Sequence, residues 1–209
     1  MLTLITQMAA SNFLDLFVQN LAQTSFIEVI AVIFGLLSVW YSMRVNILVY
    51  PTGIVNVLIY VYICYIAGLY ADMAINMLYF VMSVYGWYNW LRPEIDKPQK
   101  VVRYATFKLN IIGILVVIFS FFVIRYVLIF YTDSTVPGID AFTTAVFIVG
   151  MWLMAEKKVE NWIYWIIGDV VSIPLYFYKG LVFTSFQYSV FLVLAILGYI
   201  TWRKEARYA

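Results

Sequence analysis

The sequence predicts an all-α polytopic membrane protein: seven transmembrane helices arranged as two parallel three-helix repeats joined by a linker helix. Three observations carry that prediction. Hydrophobic side chains make up 65% of the 209 residues and charged ones 11%. An ordinary soluble domain carries about 25% charged residues, so this chain has too few to cover a water-facing surface. Seven apolar runs are each about as long as the roughly 20 residues a helix needs to cross a bilayer. The chain also resembles itself at an offset of 112 residues.

In chain order, residues 1–24 mix Leu4, Ile5, Phe13, Leu14, Leu16 and Phe17 with Asn12, Asp15, Gln19 and Asn20. That mixture suits an N-terminal segment lying on the membrane surface rather than a span. The first repeat, 25–91, holds spans at 25–43, 46–66 and 70–91. The stretch RPEIDKPQKVVRYAT at 92–106 is hydrophilic. It opens the unit 92–131, a charged loop followed by the linker helix 107–131. TDSTVPG at 132–138 is rich in turn formers. The second repeat, 139–202, holds spans at 139–155, 160–178 and 182–202, and 203–209 is a short tail.

Seven spans put the termini on opposite sides of the membrane. Eleven of the thirteen Lys and Arg residues, from Arg44 through the 92–108 cluster and Lys157 to Arg207, fall on the side of the C-terminus. Lys179 and Arg125 are the exceptions. The excess of Lys and Arg in cytoplasmic loops places the C-terminus in the cytoplasm and the N-terminus outside.

The repeat is read by adding 112 to a position in the first three spans. Trp40 then falls on Trp152, Ile54 on Ile166, Gly68 on Gly180, Leu69 on Leu181, Val81 on Val193, Gly86 on Gly198 and Trp90 on Trp202. Equivalent helices are four spans apart, so the two halves face the same way and the fourth helix is the odd span. This three-plus-one-plus-three plan, with halves related by an axis along the membrane normal, resembles that of sugar transporters of the SWEET type.

Composition excludes several functions. A net charge of +2 is too small to predict nucleic acid as a partner. The absence of His removes the usual general base and the commonest metal ligand. Cys64 is the single cysteine, so neither a disulfide framework nor a thiolate cluster exists. No Gly-rich phosphate loop is present to hydrolyse ATP. No cofactor, metal or catalytic residue is expected. The partners expected are the lipid bilayer and a small molecule.

The candidate site begins with WIYWIIGDVVSIPLYFYK, residues 162–179. Trp162, Trp165, Asp169, Ser172 and Tyr176 recur at steps of three and four, which puts them on one helix face. Intramembrane carboxylates are rare and generally functional, so Asp169 marks that face as the wall of a polar cavity. The bland alternative is an aromatic packing seam. The third span has a stripe of Asp72, Asn76, Tyr79, Ser83, Gly86 and Trp90, and Gln187 lies beside its repeat mate. The second span presents Asn46, Tyr50, Gly53, Asn56 and Tyr60. Asn56 and Asn76 have the strongest claim to line a site, because an unpaired amide in lipid costs free energy. Interhelical hydrogen bonds are the alternative. Gly86 and Gly198 read as points of close helix approach, and Glu28 and Asp140 as helix caps near the surface.

Asn76-Met-Leu-Tyr79 (N-x-x-Y) and Trp162-Ile-Tyr-Trp165 (W-x-x-W) resemble the signature motifs of the PnuC-type vitamin transporters. The strings YPTGIVNV, LYADM, YGWYNW, VENW and YKGL extend the likeness from about residue 26 to 203. The resemblance implies facilitated diffusion of nicotinamide riboside across the bacterial inner membrane, trapping by a cytoplasmic kinase, and a homotrimer. It also implies that Asn76, Tyr79, Trp162 and Trp165 contact the substrate. Asn46, Asn56, Asp169, Ser172 and Gln187 rest on the stripe argument alone. Relatives carry thiamine or riboflavin, and thiamine is also an aromatic cation. The competing class is a membrane enzyme or receptor that binds an aromatic ligand without moving it.

Overall fold

The computed structural model describes residues 25–92 and 101–208. The surface segment expected at 1–24 and residues 93–100 of the charged loop lie outside the described residues. Seven helices follow in order: α1 (Phe26–Met43), α2 (Val49–Ile66), α3 (Tyr70–Leu91), α4 (Phe107–Tyr131), α5 (Pro137–Ala155), α6 (Asn161–Tyr178) and α7 (Val182–Tyr208). Five are apolar enough along their length to cross a bilayer. The other two, α3 and α6, carry the polar stripes, so they fall short because of the residues that line the interior.

Helix ends follow local chemistry. Ser25 and Glu28 form a reciprocal cap at the start of α1, with Ser25 N donating to Glu28 Oε2 at 2.6 Å and Glu28 N to Ser25 Oγ at 3.3 Å. Asp140 does not cap α5 as expected. It accepts hydrogen bonds from Lys179 Nζ and Ser134 Oγ, both at 2.7 Å, because the Lys179 ammonium is within reach. Pro137 starts α5 two residues earlier than expected, where its missing N–H is harmless. Helix α7 continues through the expected tail to Tyr208.

The four turns inside the two repeats are one device used four times. Asn46 N bonds Tyr41 O and Val45 N bonds Ser42 O, and the same pair recurs as Lys158 N to Leu153 O and Lys157 N to Met154 O. Leu69 and Gly68, then Leu181 and Gly180, close α2 and α6 in the same way. This double bond is the Schellman end, and its penultimate residue must be left-handed. Val45 (φ 52) and Lys157 (φ 50) hold that position at one end of the bundle, Gly68 (φ 72) and Gly180 (φ 75) at the other. Each pair differs by the repeat offset.

Successive helices within each triplet pack on one another, and the triplets meet through α1 on α7 and α3 on α5. Shifting by 112 turns α1 into α5 and α3 into α7, so these two contacts are one interface used twice, around a pseudo-two-fold axis. Helix α4 packs chiefly on α5 and leaves Phe119, Phe122 and Phe130 exposed. The linker before it docks on the α5–α6 turn: Arg103 N donates to Lys157 O at 3.0 Å, Val159 N to Arg103 O at 3.1 Å, and Ala105 N to Glu160 Oε2 at 2.8 Å.

Lipid tails are as apolar as leucine, so packing and interhelical hydrogen bonds hold such a bundle together rather than release of water. The largest buried side chains gather at the end that bears the C-terminus: Tyr50, Trp90, Trp162 and Trp202. Trp90 Nε1 crosses from the first half to Met154 O at 3.1 Å, and Trp202 Nε1 crosses back to Ser42 O at 2.9 Å. Donors and acceptors are both repeat mates, so the two bonds form a symmetric pair of latches.

Candidate substrate cavity

A cavity of about 210 Å³ lies on the pseudo-axis, walled by residues of every helix except α4. Eight of the nine second-half wall residues are repeat mates of first-half wall residues. That correspondence is what places the cavity astride the axis. Trp162, Trp165 and Asp169 on α6, Asn56 on α2 and Tyr79 on α3 all line it, so the structure brings these five expected residues together.

The other four stand elsewhere. Ser172 is buried one turn beyond Asp169, and its Oγ has no hydrogen-bond partner among the described residues. Asn76 lies one turn beyond Tyr79 and donates its Nδ2 to Asp72 O at 2.9 Å. Gln187 is half-buried on α7 beside Tyr188, which does line the cavity. Asn46 is not in the helix at all. It is exposed in the α1–α2 turn, where its Oδ1 accepts from Leu48 N at 2.9 Å. An Asn side chain bonding backbone two residues on favours a turn over a helix interior, which corrects the expected start of α2 and leaves Asn46 outside the cavity lining.

The second half supplies the aromatic wall. Trp165 stacks on Phe147 (centroids 5.2 Å apart), Phe147 on Tyr188 (6.1 Å) and Tyr188 on Tyr176 (5.0 Å). Gly168 gives the column room, and Gly150 lies against the Trp165 indole. A Cβ on Gly168 would overlap the Phe147 ring, and one on Gly150 would sit 3.4 Å from the Trp165 indole. Phe147 therefore covers one face of Trp165. Trp162 has a different place. It is 1% exposed and meets Trp202 edge-on at 5.7 Å, as its mate Tyr50 meets Trp90 at 5.2 Å. Tyr50 and Trp162 line the cavity floor, and Trp90 and Trp202 pack against them from behind. Gly86 and Gly198, expected to bring helices together, instead accept the Tyr50 and Trp162 rings: a Cβ on Gly198 would lie 2.5 Å from the indole.

The first half supplies hydroxyls and an amide: Ser38, Ser42, Asn56 and Ser83. Sequence reading passed over Ser38 and Ser42, because a serine on an apolar helix carries no signal by itself. Among the described residues, Asp169 is the only carboxylate in the lining, and no Lys or Arg is there. Lys179, on the same helix, is engaged with Asp140. The arrangement fits a flat, electron-poor or cationic ring against one wall and polar groups against the other.

Comparison with known proteins agrees with the motifs. The profile of the family described as nicotinamide mononucleotide transporter matches residues 25–204. The chain belongs to that family. Within it, the chain is similar to the nicotinamide riboside transporter PnuC of Escherichia coli (strain K12), 26% identical across 88% of this chain and 87% of that one. It is likewise similar to the riboflavin/roseoflavin transporter RibM of Streptomyces davaonensis, 27% identical across 86% and 85%. The crystal structure of the vitamin B3 transporter PnuC shares the fold, with a TM-score of 0.70 over 95% of this chain and 92% of that one at 23% identity. The PnuC-type likeness read from N-x-x-Y and W-x-x-W is thus borne out, and the chain is a multi-pass membrane protein of a transporter family.

Proposed function

We propose that the protein carries nicotinamide riboside across the bacterial inner membrane by facilitated diffusion. The observation that carries this reading is the charge of the cavity: among the described residues its lining has one carboxylate, aromatic faces and no cation. Nicotinamide riboside brings a cationic ring and a neutral sugar. A mononucleotide would add a phosphate that finds no Lys or Arg, and burying an unpaired charge is costly. The riboside is favoured over the mononucleotide for that reason. The same physics makes phosphorylation in the cytoplasm an effective trap, since the product no longer suits the carrier. Thiamine, also an aromatic cation without an intrinsic phosphate, is the second reading.

Trp162, Trp165, Tyr79, Asn56 and Asp169 act at the cavity wall, and Asn76, Ser172 and Gln187 stand one turn outside it. Rocking of one half against the other around this central site opens the floor when the Trp90 and Trp202 latches release. The distribution of Lys and Arg supports an orientation with the floor toward the cytoplasm and the N-terminus outside. The bare aromatic face of α4 supports a homotrimer built through that helix.

Purified protein in sealed vesicles tests the proposal. Labelled nicotinamide riboside should equilibrate without ATP or an ion gradient, and nicotinamide mononucleotide should neither cross nor compete. Binding without flux sinks the transporter reading, and accumulation against the gradient makes it a coupled carrier.

A further inference from the structure

Resting on the reading above, the geometry points to a division of labour between the two repeats. The first repeat carries a sugar-recognition subsite built by Ser38, Ser83 and Asn56 around Gly53, and the second carries the ring.

The repeat offset shows how this subsite arises. Gly53 is the mate of Trp165, so where the second half projects an indole into the cavity the first half projects nothing. Gly35 and Phe147 are likewise mates, and both line the cavity. Where an aromatic ring lines the cavity on one side of the axis, a glycine lines it on the other with a polar side chain close against it: a Cβ on Gly35 would lie 3.0 Å from Asn56 Nδ2. The groups around Gly53 are polar as well. A Cβ on Gly53 would lie 3.0 Å from Ser38 Oγ and 4.0 Å from Ser83 Oγ. The mate of Ser83 is Ala195, and the mate of Ser38 is Gly150, so these two serine hydroxyls have no counterpart in the second half.

Their hydrogen bonding is suited to a polyol. Ser38 Oγ donates to Val49 O at 2.8 Å, which leaves its lone pairs to accept. Asn56 Nδ2 donates to Ala31 O at 2.7 Å, which leaves Oδ1 to accept. Ser83 is 2% exposed, and its hydroxyl makes no hydrogen bond to the described residues. The wall thus offers acceptors, and the hydroxyls of a sugar are donors. The ligand lies across the axis in one orientation, its ring on Trp165 and its hydroxyl-bearing part in the gap beside Gly53. Gly53 sets how large that part is allowed to be.

The test compares nicotinamide riboside with N-methylnicotinamide methylated at the ring nitrogen, which keeps the cationic ring and lacks the sugar. Binding of each is titrated on the detergent-purified, monodisperse protein. Ser83→Ala should weaken the riboside about three- to tenfold, as expected for one hydrogen bond, and leave N-methylnicotinamide within about twofold. Gly53→Val, which fills the gap, should be selective in the same sense and stronger. Trp165→Ala should weaken both ligands alike. Equal losses for the two ligands in Ser83→Ala and Gly53→Val overturn the subsite, as does unchanged riboside affinity in both. A wild-type protein that binds N-methylnicotinamide as tightly as the riboside overturns it too. Failure of the wild type to bind the riboside at all overturns the substrate reading, and the subsite with it.

Discussion

Replacing Asp169 with Asn isolates the charge of the cavity from its shape. Asp169 is 2% exposed, lines the cavity one helical turn from Trp165, and shares that wall with no Lys or Arg. Lys179 is ten residues further along α6, roughly 15 Å at 1.5 Å per residue, and is bound to Asp140. A cationic ring lying on Trp165 would sit roughly 5 Å from the carboxylate. At an effective dielectric constant of about 20, that separation corresponds to about 3 kcal/mol of attraction. Part of it is offset by the cost of keeping the carboxylate desolvated, so a loss of about 1.5–3 kcal/mol, roughly 10- to 150-fold in affinity, is expected for Asp169→Asn. The control is the reduced riboside, which keeps the sugar and carboxamide on a neutral dihydropyridine ring. Its affinity should hold or rise, because Asn removes a desolvated charge that the neutral ligand does not meet. Calorimetric titration of both ligands on folded protein measures the difference directly. If the oxidised and reduced ribosides lose affinity equally, Asp169 shapes the site and does not read charge.

Other consequences follow from the same geometry. Trp165→Ala should lower affinity for the cationic riboside roughly thirtyfold, from loss of about 2 kcal/mol of desolvated cation–π attraction, with Trp165→Phe retaining part of it. Trp162→Ala should instead lower thermal stability and loosen the floor, because that ring is packed among Trp202, Gly198 and the core; a folded Trp162→Ala protein with unchanged melting temperature would contradict this. Gly198→Ala should destabilise by about 1–3 kcal/mol through overpacking against the same indole, read as a drop in melting temperature. Trp90→Phe with Trp202→Phe removes both latches, worth about 0.6 kcal/mol each, so the floor should open roughly eightfold more often. A cysteine at Ser42, in protein with Cys64 replaced, reports it by faster thiol labelling from the side of the C-terminus. The proposed orientation predicts that a cysteine at Lys204 is protected from impermeant thiol reagents in intact cells while one at Ser134 is labelled.

The fold was legible because its determinants are local. Each span is an apolar run closed by a turn signal, and Gly68 and Gly180 mark two of the turns outright. Val45 and Lys157 hold the equivalent left-handed positions without any signal in their residue type, which is why α2 was expected to begin at Asn46 rather than Val49. In the site, α6 announced itself because Trp and Asp are conspicuous at helical spacing in an apolar run. The first-half wall did not, since Ser38, Ser42 and Gly53 are common in membrane helices for packing reasons. Their role appears only once the mates Gly150, Met154 and Trp165 are set opposite them. Phe147 was missed for the complementary reason: an aromatic in an apolar helix is unremarkable until Gly168 is seen to make room for it.

The duplication explains why the floor and the cavity obey different rules. At the floor, Tyr50 and Trp90 meet as Trp162 and Trp202 do, and the two indole–carbonyl latches are mates. An interface across which equal halves rock gains from such symmetry, because both latches then break in the same motion. The cavity faces a ligand with two unlike ends, and a symmetric wall would bind it in two opposed poses. Exchanging Trp165 for Gly53, Phe147 for Gly35 and Ala195 for Ser83 gives each half one end to recognise, while the single carboxylate, Asp169, stands opposite Val57. The exchanges sit where helices of the same half already interlock, so a ring gained at one position is matched by a glycine facing it, Gly150 for Trp165 and Gly168 for Phe147. Restoring a mate without its facing glycine, as in Gly53→Trp alone, should therefore abolish both binding and stability. Gly53→Trp combined with Ser38→Gly should recover the fold while the site stays closed to the riboside. Recovery of riboside binding in the folded double variant would show that the gap beside Gly53 is not where the sugar lies.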